Sequence, residues 1–125
     1  MALRWRWLTI VYWLLLTVGV LHPSGGRLSG LAPGAMADWP QLSHLLAFLV
    51  LAVVIHMSFG RARFFRLTML MLAYAVTAEV AQLLIPVRSA DILDGAANAV
   101  GIVAGSLVAV YWRLSLATGL RGNRL

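Results

Sequence analysis

Apolar residues fall in four runs along the chain: Trp5–Leu21, Leu42–Phe59, Leu67–Ile85 and Gly95–Leu114. Within each run the apolar positions are nearly continuous. None alternates with period two, as the strands of a membrane barrel do. A helix of about 20 residues, rising about 1.5 Å per residue, crosses a ~30 Å hydrocarbon core, and each run is near that length. Backbone groups in lipid must find partners within their own segment, which leaves helices. The pattern predicts an all-α integral membrane bundle of four transmembrane helices, forming one domain over residues 1–125.

The connections support this reading. Residues Pro23–Gln41 hold four glycines, three prolines and two serines, which is loop chemistry. Gly60–Arg66 and Pro86–Asp94 are short, so consecutive helices run antiparallel. Arg4 and Arg6 open the first run, Arg61, Arg63 and Arg66 separate the second from the third, and Arg113, Arg121 and Arg124 close the fourth. Only Arg27 and Arg88 lie on the other side. Arginine excess marks the cytoplasmic face, so both termini are expected inside, in a bacterial inner (plasma) membrane. Trp5, Trp7, Trp39, Tyr111 and Trp112 sit at run ends, where interfacial aromatics belong.

The start of the chain also resembles a signal peptide. Arg4 and Arg6 precede Leu8–Leu21, and Ala35-Met36-Ala37 is a small-x-small cleavage pattern. That pattern lies well past the apolar run, with prolines and glycines between, so the first helix is expected to be retained. An N terminus at Asp38 in the purified protein would leave three helices.

Composition narrows the picture further. The chain is 62% hydrophobic and 11% charged, against roughly 25% charge in a soluble domain. A soluble globular domain and a disordered chain are both excluded. A net charge of +6 and a pI near 11.4 would suggest nucleic acid in a soluble protein. Here the arginines follow topology instead, and no nucleic-acid partner is expected. The chain has no cysteine, so disulfides and thiol chemistry are out of reach.

Polar residues inside membrane segments are costly, so each marks a candidate site. His44 lies near the outer end of helix 2, Glu79 and Gln82 in the outer half of helix 3, and Asn98 one turn into helix 4. Arg88, Asp91 and Asp94 fall on the outer link. All approach one membrane face. Glu79 and Gln82, three apart, share a helix face, as do Asp94 and Asn98, four apart. Gly101 and Gly105 continue that line as a packing surface for another helix. Each residue has a plainer role as well. Asp94 would cap helix 4, Arg88 would pair with Asp91 or Asp94, and Asn98 and Gln82 would bond helices together. His44 and His56 would be interfacial histidines.

Together these residues carry a resemblance. Glu79-x-x-Gln82, Pro86-x-Arg88 and Asp94-x-x-x-Asn98-x-x-Gly101-x-x-x-Gly105 resemble the signature of the VanZ-like family. The stretch Leu42-Ser43-His44-Leu45-Leu46-Ala47-Phe48 is similar to its other motif. The resemblance covers about residues 40–105. It implies a small integral membrane protein, in a family named from a member associated with teicoplanin resistance. The family usually carries Asp-Lys where this chain has Pro40 and Gln41, so a lysine that would meet an anionic partner is missing.

Three functions are open on the sequence. The first is a non-enzymatic protein whose outward-facing polar pocket (His44, Glu79, Gln82, Arg88, Asp94, Asn98) binds a lipid headgroup or a lipid-linked cell-wall intermediate. Arg88 would supply the anion contact, since its fork meets phosphate or carboxylate at two points. The second is a phospholipid-processing enzyme. Asp91-x-x-Asp94-Gly95 resembles half of the metal motif of CDP-alcohol phosphatidyltransferases, but Gly105 and Ala109 stand where further aspartates belong. The third is an assembly module whose helix 4 glycines dock a homo- or hetero-oligomeric partner. No catalytic residue, metal or cofactor is assigned. Gly-x-Ser-x-Gly and His-Glu-x-x-His are absent. Ser43 and His44 are adjacent and diverge on a helix. A His44–Glu79 acid–base pair across helices 2 and 3 depends on a distance that sequence does not contain.

Overall fold

The computed structural model describes residues 2–22, 40–59, 63–85 and 91–122, and within them the protein is all helical. Four helices follow in order: α1 (Ala2–Leu21), α2 (Pro40–Ser58), α3 (Phe64–Gln82) and α4 (Ile92–Gly122). Spans within α2 (Gln41–Ser58), α3 (Phe64–Gln82) and α4 (Ile92–Thr118) are long and apolar enough to cross a membrane. The first turns of α1 hold Arg4 and Arg6, which lower its apolarity. Residues 23–39, 60–62 and 86–90, which make up most of the predicted link Pro23–Gln41 and parts of Gly60–Arg66 and Pro86–Asp94, lie outside the described residues, and with them the Ala35-Met36-Ala37 pattern and Arg88.

The helix limits differ from the expected ones for local reasons. α3 begins three residues before Leu67 and ends at Gln82 rather than Ile85. Past Gln82 the amides of Leu83, Leu84 and Ile85 bond three residues back, to Val80, Ala81 and Gln82, at 3.1 Å each. This tighter turn is a common helix ending. Proline follows Ile85 in sequence and disfavours the α conformation before it. α4 begins at Ile92, so Asp94 belongs to its first turn and not to the link. Its C-terminal end runs past Leu114 because Ser115–Thr118 keep helical bonding, Thr118 Oγ1 donating to the Leu114 carbonyl at 3.2 Å.

The helices alternate in direction. Thr9 and Ser58 hydroxyls meet at 2.6 Å, and Tyr12 donates to the Ala47 carbonyl at 2.9 Å, which sets α1 antiparallel to α2. The most extensive interface, however, joins α2 to α4, which are not consecutive and run parallel. Glycine explains this preference. A Cβ at Gly101 would collide with the Leu45 carbonyl and lie 3.1 Å from the Leu49 nitrogen. A Cβ at Gly105 would collide with the Leu49 carbonyl and lie 2.9 Å from Ala52 Cβ. Missing side chains let the two backbones approach, which is how helices gain contact in lipid.

The core is thin and apolar at its middle, with Phe48, Leu51, Ala52, Ile102 and Ala109 fully buried. The outside is apolar too. Leu15, Val18, Leu70, Val76, Leu107 and Tyr111 are all exposed. Polar side chains are inside instead: Asn98, Gln82, Ser106, His56 and Glu79 are buried. A bundle with oily surface and buried polar groups suits lipid as its solvent.

Candidate functional site

At the end of the bundle where α2 and α4 begin and α3 finishes, three helices bring polar side chains together. His44 stands in the second turn of α2. Its Nδ1 lies 3.0 Å from Asn98 Oδ1 on α4. Asn98 Nδ2 donates to Glu79 Oε1 on α3 at 3.2 Å. Asn98 is fully buried and uses its acceptor on one neighbour and its donor on the other. His44 Nε2 faces Asp94 Oδ2 at 3.7 Å. The chain Asp94–His44–Asn98–Glu79 thus links three helices through four side chains.

Local sequence places each member. Asp94 and Asn98 are one helical turn apart on α4. Gly95 lies against Glu79, a Cβ there being 3.7 Å from Glu79 Cγ, so the carboxylate stem crosses α4 at a small residue. The helix cap is Asp91, not Asp94. Asp91 Oδ1 accepts from the Leu93 amide at 2.8 Å, and the Asp91 carbonyl accepts from the Gly95 amide at 3.0 Å. Capping by Asp91 leaves Asp94 for His44. The two carboxylates of Asp91-x-x-Asp94 therefore have separate tasks. Among the described residues, Asp94 Oδ1 is buried and receives no hydrogen bond.

Gln82 is set apart. It is 1% exposed and donates from Nε2 to the Val20 carbonyl of α1 at 3.2 Å. It satisfies the open C-terminal end of α1 and does not enter the chain built on Asn98. Arg88 lies outside the described residues. Gly101 and Gly105, expected to meet another helix, meet α2 of the same chain.

A cleft of about 310 Å³ lies beside this group, between α3 and α4. Leu72, Val76, Val80 and Ile92 form its walls, and Glu79 and Asp91 bring carboxylates to it. Its lining is almost wholly apolar, Glu79 and Asp91 being its only polar side chains among the described residues. Among the described residues, no group of three or more histidine, aspartate or glutamate side chains is arranged to hold a metal.

A second polar group lies at the opposite end and was not expected. His56 is 5% exposed, where an interfacial histidine would be open. Its Nε2 lies 3.0 Å from Ser106 Oγ and 3.2 Å from Thr68 Oγ1, and its ring stacks on Phe64 at 4.7 Å. Beside it, Arg113 reaches from α4 to the last carbonyls of α2, donating to those of His56, Met57 at 3.0 Å and Phe59 at 2.9 Å. One guanidinium thus caps a neighbouring helix, with both hydrogen bonds and the dipole in its favour. Spacing held the signal: His44, Phe48, Ala52 and His56 recur every four residues on one face of α2.

Comparison with curated proteins and with solved structures finds no match to this chain. The family model described as VanZ/LLP1 matches residues 5–114. That match takes in most of each of the four helices and every residue of the Asp94–His44–Asn98–Glu79 chain. The protein therefore belongs to the VanZ/LLP1 family.

Proposed function

We propose that the protein binds the polar head of an envelope lipid or lipid-linked cell-wall intermediate where His44, Glu79, Asp94 and Asn98 meet, and that this binding changes susceptibility to teicoplanin. The observation that carries the reading is the buried three-helix polar chain beside an apolar cleft. Burying these groups in lipid is costly, and three helices contribute to it. Hydrocarbon of the ligand lies along Leu72, Val76 and Val80, and its head reaches Glu79 and Asp91. Arg88, between Ile85 and Asp91 in sequence, supplies the contact to phosphate or carboxylate. The protein acts by binding and not by catalysis. It sits in a bacterial inner membrane with this end outward.

The test is drug susceptibility in a strain that lacks the gene. Restoring the wild-type gene raises the inhibitory concentration of teicoplanin more than that of vancomycin. A gene carrying Glu79→Gln with Arg88→Ala restores little, while the variant protein reaches the membrane in normal amount. Full protection by that double variant would remove the polar group from the function. Metal-dependent turnover of a CDP-lipid by the purified protein would replace binding with catalysis.

A further inference from the structure

Helices α2 and α3 are joined by a short link yet touch over only a small part of their length. Contacts between α1 and α3 gather away from that link. There Thr17 and Tyr74 hydroxyls meet at 2.8 Å, Trp13 packs edge-on against Tyr74 at 6.0 Å, and Gln82 holds Val20. Toward the arginine-bearing end a cavity of about 270 Å³ remains between α1 and α3, with α2 as its floor. Ile10, Trp13, Ile55, Phe59, Leu67 and Leu70 line it.

The two hydroxyls on its wall are already engaged. Thr9 bonds the Trp5 carbonyl and Ser58, and Tyr74 bonds Thr17. An apolar cavity without polar partners does not hold ordered water, and in a bilayer hydrocarbon is the available filler. Its volume suits a segment of one chain and is below that of a drug-sized pocket. The mouth is basic. The Arg6 guanidinium lies 5.9 Å from the centroid of Phe59, which lines the cavity. Arg66 is exposed and immediately precedes the lining residue Leu67. The acidic residues among those described, Glu79, Asp91 and Asp94, all belong to the opposite end.

We infer that this cavity holds one acyl chain of an anionic phospholipid whose phosphate rests on Arg6 and Arg66. Basic side chains at the membrane surface favour anionic headgroups, and the cavity adds a fixed place for the tail. This site is separate from the polar chain at His44 and stands without it.

Native mass spectrometry of the full-length protein in detergent tests the inference. Phosphatidylglycerol and phosphatidylcholine with identical chains are supplied in equal amounts. The wild type retains one lipid and prefers phosphatidylglycerol several-fold. Arg6→Gln with Arg66→Gln brings that preference to near one while a lipid is still retained. Leu70→Trp fills the cavity and lowers retention of both lipids several-fold, and Leu107→Trp, on the exposed face of α4 away from both clefts, leaves retention unchanged. Leu67→Phe serves the same purpose as Leu70→Trp if the larger side chain prevents accumulation. Equal retention of the two lipids by the wild type overturns the inference. So does wild-type retention in a folded, cavity-filled variant.

Discussion

Asn98 shows how much one residue can fix. It is fully buried, its amide oxygen meets His44 and its amide nitrogen donates to Glu79. Its amide offers an acceptor on one side and a donor on the other. Asn98→Ala removes both bonds and leaves two polar groups with fewer partners in a buried place. The expected cost is roughly 1–3 kcal/mol, read as a lower unfolding midpoint in detergent. Asn98→Asp keeps the acceptor for His44 but puts a carboxylate against Glu79. It should destabilise at least as much as alanine at neutral pH, and less in acid, where the introduced carboxyl is protonated and can donate again. The same measurement on Gln82→Ala tests a different contact, the cap on α1, and its effect should be independent of pH. An Asn98→Ala protein as stable as wild type would mean that the His44–Asn98–Glu79 chain contributes nothing to the fold.

Within the elements, glycine positions separate what is packed from what is open. Gly101 and Gly105 have the α2 backbone where a Cβ would go, whereas a Cβ at Gly19 meets nothing within 4 Å. Gly105→Ala forces α2 and α4 apart and should cost at least about 1–3 kcal/mol, the usual penalty of overpacking. Gly19→Ala should be neutral or stabilising by up to about 1 kcal/mol, since alanine is the better helix former. Equal effects at the two positions would refute the close parallel contact of α2 and α4. The elements also show what was legible in sequence. Lengths and apolarity gave four helices, and the four-residue spacing of Asp94 and Asn98 put them on one face of helix 4, whereas Glu79 and Gln82, paired by spacing, meet different helices. The α2–α4 pairing was not legible, because a small-residue stripe on α4 does not say which helix it meets. The buried group of His56, Thr68 and Ser106 was partly legible. Thr68 lies eleven residues, close to three turns, before Glu79, on the same buried face of α3. Ser and Thr inside an apolar helix satisfy themselves on the preceding turn, as Thr68 does on Phe64 at 3.1 Å, so nothing in their type alone announces a tertiary contact. Asp94 was placed on a link because the cap, Asp91, is three residues away and equally suited to the role.

For the whole molecule, the prediction is that α1 crosses the membrane with the other three helices. Arg4 and Arg6 lower its apolarity, but its contacts run the length of the bundle. Thr9 meets Ser58 at the end of α2, and Val20 meets Gln82 at the end of α3. A helix that touches both ends of such a bundle is expected to cross the membrane with it. The two arginines then lie at the same end as Arg63, Arg66 and Arg113, as the positive-inside rule requires for cytoplasmic termini. The chain has no cysteine, so a single introduced thiol reports its own location without background. With a membrane-impermeant maleimide on intact cells, Ser29→Cys should label, while Ala2→Cys and Asn123→Cys should label only after permeabilisation. Labelling of Ala2→Cys together with Ser29→Cys from outside would mean that α1 does not cross, and the buried polar chain at His44 would then belong to a three-span protein. Labelling of Ala2→Cys and Asn123→Cys from outside, with Ser29→Cys protected, would invert the bundle and put that polar chain, with its cleft, on the cytoplasmic face. An envelope ligand outside the cell could not reach it there, so the labelling pattern decides whether a cell-wall intermediate remains a candidate.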